Sequence, residues 1–279
     1  MEAIEVTGLR KTYKNREAVD GIDLVVARGE IFALLGPNGA GKTTTVEILE
    51  GHRRRSGGDV RVLGEDPGKA GSAWRTRVGI VLQDAADAAD LTVREMIRHV
   101  GGFYPEPRSA DEVIELVGLT AKSKSKIRTL SGGQRRRVDV ALGIVGRPEL
   151  LFLDEPTTGF DPEARRQFWE LIRKLAGDGT TIVLTTHYLD EAEALADRLA
   201  VMADGRIVAE GTPATLGGRS GAAARVRWRT ADGVAHDERH EDPTELIHRL
   251  VNTGVDLTTL TITRPTLEDT YLSLIGEAR

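Results

Sequence analysis

The sequence predicts an α/β fold built on a mainly parallel sheet, with a small α+β unit behind it. Three observations carry that expectation. Short apolar runs alternate with helix-length amphipathic segments from Ile31 to Leu199. A glycine-rich turn, Gly36-Pro37-Asn38-Gly39-Ala40-Gly41-Lys42-Thr43-Thr44, joins one such run to a helical segment that stops at Gly51. Another run, Leu150 to Leu153, ends in Asp154-Glu155. In open parallel sheets ligand groups gather at the carboxyl ends of strands, where both features fall.

Residues 2–10 and 19–35 read as strands, with Ile4, Val6 and Leu9, then Ile22, Leu24 and Val26, at alternating positions. The polar stretch Lys11 to Arg16 between them reads as a loop with one aromatic, Tyr13. Asp59 to Leu63 and Val78 to Leu82 are further strands, the second ending at Gln83. Capping boxes at Thr92/Glu95 and Ser109/Glu112 open two helices, the second stopped by Gly118. Leu130-Ser131-Gly132-Gly133-Gln134 opens a third, which Pro148 ends. A helix through Ala164, Phe168, Leu171, Ile172 and Leu175 leads to the strand Thr181 to Leu184, followed by Thr185-Thr186-His187 and one more helix.

Near residue 216 the character changes. Residues 217–221 read as a linker, and 224–240 as a hairpin about Asp232-Gly233. A helix capped at Asp242-Pro243-Thr244-Glu245, a strand over 257–263 and a last helix over 265–275 complete a unit with no catalytic pattern. Its histidines, His236, His240 and His248, read as polar-face residues.

Composition narrows the function. The chain has 279 residues, 40% hydrophobic and 29% charged, with a net charge of −5, which gives no support for a nucleic-acid surface. The local clusters Arg53–Arg55 and Arg135–Arg137 read as solvated faces. The absence of cysteine excludes disulfides, zinc–thiolate sites and thiol catalysis, and favours a reducing compartment. The N-terminus is unlike a signal peptide, and no apolar run approaches the roughly 18–20 residues of a membrane span. Any membrane part is expected from a partner.

The turn at Gly36–Thr44 fits G-x-x-x-x-G-K-[ST] between strand and helix, so its backbone N–H groups can converge on phosphate. Lys42 would reach the β- and γ-phosphates of a nucleoside triphosphate, and the Thr43 hydroxyl would ligate Mg²⁺. Asp154, at a strand tip, would hold Mg²⁺ beside that loop. Strand alternation sends Glu155 to the opposite side, toward an attacking water. Tyr13 could stack on the base.

Taken in order, these parts resemble the nucleotide-binding subunit of an ABC transporter: Tyr13, Gly36–Thr44, Gln83, Leu130–Gln134, Leu150–Glu155, Gly159-Phe160-Asp161 and His187. Leu-Ser-Gly-Gly-Gln is that family's signature. The resemblance covers 2–216 and implies a P-loop NTPase domain over 1–216. That domain would have an antiparallel N-terminal β subdomain and a helical signature subdomain over about 84–146. The remainder, 222–279, would be a C-terminal accessory domain. It implies an ATPase using ATP and Mg²⁺, with Glu155 as general base or water-positioning group, His187 on the γ-phosphate, and Gln83 completing the metal and water shell. Ser131, Gly132, Gly133 and Gln134 of one copy would cap ATP held by Gly36, Pro37, Asn38, Gly39, Ala40, Gly41, Lys42, Thr43 and Thr44 of another, head to tail, with Asp161 connecting the sites.

The runs Ser131–Arg137, Thr185–Glu193 and Pro265–Leu272 are similar to drug- and antibiotic-export ATPases paired with ABC-2 type permeases. That implies a peripheral subunit on the cytoplasmic face of the membrane, held by a permease that the segment 84–104 would contact. Phe160 departs from the family's usual Leu, a packing change. A soluble ABC ATPase acting on ribosomes or DNA is the alternative, disfavoured by one cassette, no heptad insertion and the acidic balance. A regulatory module that binds ATP without hydrolysis is disfavoured by Glu155 and His187.

Overall fold

Alternating apolar residues at the amino end fold back on themselves as a hairpin, β1 (Glu2–Tyr13) and β2 (Arg16–Ala27), paired antiparallel. The structure is a computed structural model describing residues 2–81, 90–230, 232–252, 255 and 257–277. The polar stretch expected as a loop is largely strand, with Tyr13 opposite Arg16 and Lys11 opposite Val19. This end of the hairpin is exposed, so polar side chains fit a ladder there. The expected strand over 19–35 is two strands, broken at Arg28-Gly29-Glu30, where Gly29 takes a φ of 76°. Only three polar or glycine residues, Arg28-Gly29-Glu30, part the alternating run ending at Val26 from the apolar run that starts at Ile31.

β3 (Ile31–Leu35) leads through the glycine-rich turn into α1 (Lys42–Leu49). β4 (Gly57–Val62) returns to pair with β1, giving a sheet ordered β2-β1-β4. After α2 (Ser72–Arg75) comes β5 (Val78–Val81); Gln83 lies outside the described residues. Three helices follow: α3 (Val93–Gly101), α4 (Ala110–Leu116) and α5 (Gly132–Ile144). The Thr92/Glu95 capping box and the Ser109 cap are both present, and Ser131 and Gln134 form another box at the start of α5. These side chains satisfy N–H groups that a helix start leaves without partners.

β6 (Leu150–Asp154), α6 (Pro162–Gly177), β7 (Thr181–Thr185), α7 (Leu189–Leu195), β8 (Arg198–Ala203) and β9 (Arg206–Gly211) complete a six-stranded sheet. Its order is β5-β6-β7-β3-β8-β9, parallel except for β9 at the edge. The central strands are buried on both faces, as their continuous apolar runs require. Ile31, Ala33, Leu35, Leu151 and Leu153 join the helix-side core, which also holds α5 and α6 residues. Phe32, Leu34, Leu150 and Phe152 point the other way, into the core shared with the antiparallel sheet. One sheet thus welds two layers, with the carboxyl ends of β3, β6 and β7 side by side.

The stretch 217–221, expected as a linker, lies in a 3-10 turn (Leu216–Gly221) with left-handed Gly217 and Gly218. It is fastened down. Leu216 is fully buried, and Arg219 donates to the carbonyls of Pro265 and Pro213, both at 2.8 Å, and pairs with Glu193. Beyond it β10 (Ala224–Arg229) pairs antiparallel with β11 (Ala235–His240), the hairpin the sequence suggests. Val226 and Trp228 pack beneath Leu246 and Leu250 of α8 (Thr244–Asn252). The strand expected over 257–263 is a 3-10 turn (Leu257–Thr259) followed by a short β12 (Thr261–Thr263) on the other side of β10. The last helix, α9 (Leu267–Glu277), goes elsewhere: Leu267 is buried in the helix-side core of the parallel sheet, with Tyr271, Leu274 and Ile275 packed against it.

Candidate functional site

The turn between β3 and α1 has its shape because glycine stands where side chains cannot. Gly36, Gly39 and Gly41 have φ of 152°, 83° and 104°; a Cβ at Gly36 would strike the Met202 carbonyl, and one at Gly41 the Ala18 carbonyl. The resulting cavity, of about 580 Å³, is lined by Asn38 to Thr44, by Asp154 and Glu155, and by Tyr13. Tyr13 therefore stands at the same site as the phosphate loop, with Lys11 Nζ 4.9 Å and the Arg53 guanidinium 5.4 Å from its ring centre. Arg16 also lines the cavity and approaches the Gly39 carbonyl at 3.4 Å. Nothing in its sequence context distinguishes it from other surface arginines.

Lys42 is buried, and its Nζ donates to the carbonyls of Gly36 (2.6 Å) and Pro37 (3.2 Å). Burial lowers its pKa, and the charges of Glu155 and Asp154 oppose that shift. The ammonium is thus held over the loop with two carboxylates near it. Asp154 Oδ1 accepts a hydrogen bond from Thr185 Oγ1 across β6 and β7. Beneath the site, Glu50 is 5% exposed with its pKa raised to about 8 by burial and by the charges of Asp154 and Glu47.

The position of Glu155 departs from the expectation of opposite faces. β6 ends at Asp154, and Glu155 turns into the left-handed region with a φ of 44°, so alternation stops one residue early. Both carboxylates line one cavity. The Glu155 N–H donates to the Thr185 carbonyl at 3.1 Å, and its Oε1 lies 3.2 Å from His187 Nδ1. His187, at the exit of β7, lies against Tyr188 with ring centres 4.1 Å apart and planes tilted by 39°. Behind it Glu191 is fully buried, its pKa raised by burial against the pull of Thr186, Thr157 and Trp169.

Ser131, Gly132, Gly133 and Gln134 line a different hollow, of about 560 Å³, together with Gly159, Phe160 and Asp161. None of its lining residues lines the Lys42 cavity. Ser131 Oγ accepts from the Gln134 N–H at 3.3 Å, and Gln134 Oε1 accepts from the Ser131 N–H at 3.1 Å. The N–H groups of Gly132 and Gly133 sit in the first turn of α5, where a helix attracts anions. Asp161 caps α6 through the N–H groups of Glu163 and Ala164, and Phe160 packs edge-on against Phe168 at 5.7 Å. The three arginines after Gln134 are not all a solvated face: Arg136 is 8% exposed and reaches the backbone of Asp154 and Pro156.

Among the described residues no group of three or more His, Cys, Asp or Glu could hold a metal by itself. Thr43 and Asp154 are hard oxygen donors at one cavity, which fits Mg²⁺ completed by substrate phosphates rather than an all-protein cage.

The family model described as ABC transporter matches residues 19–158. The chain is 38% identical over 307 residues to the daunorubicin resistance ATP-binding protein DrrA3 of Streptomyces coeruleorubidus, covering 99% of this chain and 97% of that protein. It is 32% identical to the linearmycin resistance ATP-binding protein LnrL of Bacillus subtilis (strain 168), covering 98% of each. Identity to the Nod factor export ATP-binding protein I of Ralstonia nicotianae is 43%, over 76% of this chain and 68% of that one. Among solved structures, the dimeric post-hydrolysis state of an ATP-binding cassette bound to ADP and phosphate superposes with a TM-score of 0.68 at 25% identity, covering 75% of this chain and 98% of that one. An ATP-binding subunit of an ABC transporter gives 0.69 at 27% identity, over 76% and 90%. Phosphate loop, signature and acidic strand tip stand in one fold with full-length relatives, and the chain belongs to the ABC transporter family as an ATP-binding subunit that hydrolyses ATP for transport.

Proposed function

We propose that this chain closes head to tail with a second copy of itself around two ATP molecules and thereby drives a separate permease that exports a drug, antibiotic or other hydrophobic compound. The observation that carries this reading is the separation of the Lys42 cavity from the Ser131 hollow within one chain. Each is lined for phosphate, and a head-to-tail pair brings one of each together twice. Dimeric cassettes among the solved relatives support the pairing. The export reading rests on relatives named for daunorubicin resistance, linearmycin resistance and Nod factor export.

In that site the Lys42 ammonium leaves the Gly36 carbonyl for the β- and γ-phosphates, and Tyr13 stacks on the base. Thr43 and Asp154 hold Mg²⁺, with Gln83 completing the shell; the ion supplies charge neutralisation at the phosphate oxygens. Glu155 takes or orients the proton of the attacking water, and His187 steadies Glu155 from 3.2 Å while facing the γ-phosphate. Asp161 carries the state of one site to the other from the hollow it shares with the signature.

No helix among the described residues is long and apolar enough to cross a membrane. We place this subunit at the cytoplasmic face, docked through the region 84–104; within its described part Phe103 is 72% exposed, an anchor of the kind interfaces use. Glu155→Gln tests the catalytic assignment. ATP binding should persist while turnover falls about 10²–10⁴-fold, the range for loss of a general base. Unchanged steady-state ATPase would refute it.

A further inference from the structure

The backbone at Glu155 is bent into a conformation that side-chain-bearing residues avoid, with φ at 44°. Such a conformation persists only where its surroundings over-determine it. The groups that do so are visible. On the amino side the Glu155 N–H is held by the Thr185 carbonyl at 3.1 Å and by Thr185 Oγ1 at 3.3 Å. On the carboxyl side the Thr158 N–H donates to the Glu155 carbonyl at 3.3 Å. The carbonyls on either side of Glu155 go to a single side chain: Arg136 Nη2 donates to the Asp154 carbonyl at 2.5 Å, and Arg136 Nε to the Pro156 carbonyl at 3.1 Å.

We infer that Arg136 is a positioning residue that holds the bent backbone of Glu155 and so aims its carboxylate into the nucleotide cavity of the same subunit. A guanidinium is suited to this because its fork offers parallel donors in a fixed plane, which a lysine ammonium cannot reproduce. The group is 8% exposed, so its bonds are not traded freely for water. Asp139, one turn further along α5, is half-buried; burial raises its pKa to about 6, and the nearby Arg136 charge opposes that rise. Arg136 is also one turn from the signature residues Ser131, Gly132 and Gly133, at the head of the same helix. The helix that presents N–H groups to one nucleotide site thus grips the carboxylate-bearing turn of the other, and a shift of α5 is felt at Glu155 without any intervening element.

The inference rests on Glu155 being the group that acts on water, and the test separates the two. Turnover at saturating ATP and ATP affinity are measured for the wild type, Arg136→Met, Glu155→Gln and the double variant, using single-turnover conditions for the slow ones. Arg136→Met should lower kcat about 10²-fold, the cost of misplacing a reacting group by about 1 Å, with ATP affinity changed less than about twofold. In the Glu155→Gln background the same substitution should change turnover by less than about twofold, because the carboxylate it aims is already gone. A purely structural role lowers both backgrounds equally, and that additive result overturns the inference, as does an unchanged kcat in Arg136→Met. If Glu155→Gln alone leaves turnover intact, the assignment of Glu155 fails instead. Should Arg136→Met not fold, Arg136→Lys retains the charge but has one donor nitrogen in place of the planar fork; its loss of kcat must again disappear in the Glu155→Gln background.

Discussion

Glu50 offers a quantitative test of the electrostatics under the phosphate loop. Its carboxyl is 5% exposed at the end of α1, and its pKa rises from 4.5 to about 8, chiefly through burial and then through the charges of Asp154 and Glu47. His52 Nδ1 stands 3.4 Å from Glu50 Oε2. Below pH 4.5 folded and unfolded chains both carry the proton, and the residue is neutral in the balance. Between 4.5 and 8 the unfolded chain releases it while the folded chain keeps it, so folding becomes less favourable as pH rises. The cost grows by about 1.4 kcal/mol per pH unit and levels off above pH 8, at no more than about 5 kcal/mol. Glu50→Gln keeps the shape and cannot ionise. Urea unfolding of both proteins at pH 5.5, 6.5, 7.5 and 8.5 should show the variant gaining on the wild type with pH and the gap flattening near pH 8. Parallel stability curves would refute the reasoning. Asp154→Asn removes one of the charges that raise this pKa, so in that background the gap should level off at lower pH.

Three further outcomes are open to direct measurement. Lys42→Ala should weaken ATP binding about 10–100-fold in equilibrium titration, the worth of a lost charge-assisted contact. Gly41→Ala must fit a side chain at φ 104° against the Ala18 carbonyl, and should lose about 2 kcal/mol or more in denaturant unfolding together with nucleotide binding. Trp228→Ala removes a 6% exposed indole stacked at 4.8 Å on His236, and should cost about 3–5 kcal/mol locally. Hydrogen exchange should rise across residues 224–250 while α1 and β6 stay protected.

Much of this was legible because burial on both faces leaves a plain mark. Ile31–Leu35 and Leu150–Leu153 are continuous apolar runs since each side of the sheet is covered, and the groups at their tips follow from the strand direction. Caps such as Thr92/Glu95 were legible because the chemistry is local. What the pattern missed depends on partners distant in sequence. The break at Gly29 takes only Arg28-Gly29-Glu30 between two apolar stretches, too short a gap to separate two strands by pattern, and the turn at Glu155 left the strand where alternation assumes it continues. Arg135, Arg136 and Arg137 look equivalent in sequence, yet the helix turns only the second toward the backbone of Asp154 and Pro156. Amphipathy announces that α9 buries a face, but not that the face belongs to the core of β3 and β6.

That last packing has a consequence for how the molecule is made. Leu267 shares a core with Ile31 and Leu35, strand residues synthesised first. During translation the phosphate loop and its strand emerge long before the helix that adds Leu267 to this core. Until α9 arrives, the turn Leu216–Gly221 lacks the helix that packs against it. The nascent cassette is therefore expected to stay open to proteolysis on that side, and to become resistant in one step once α9 has left the ribosome.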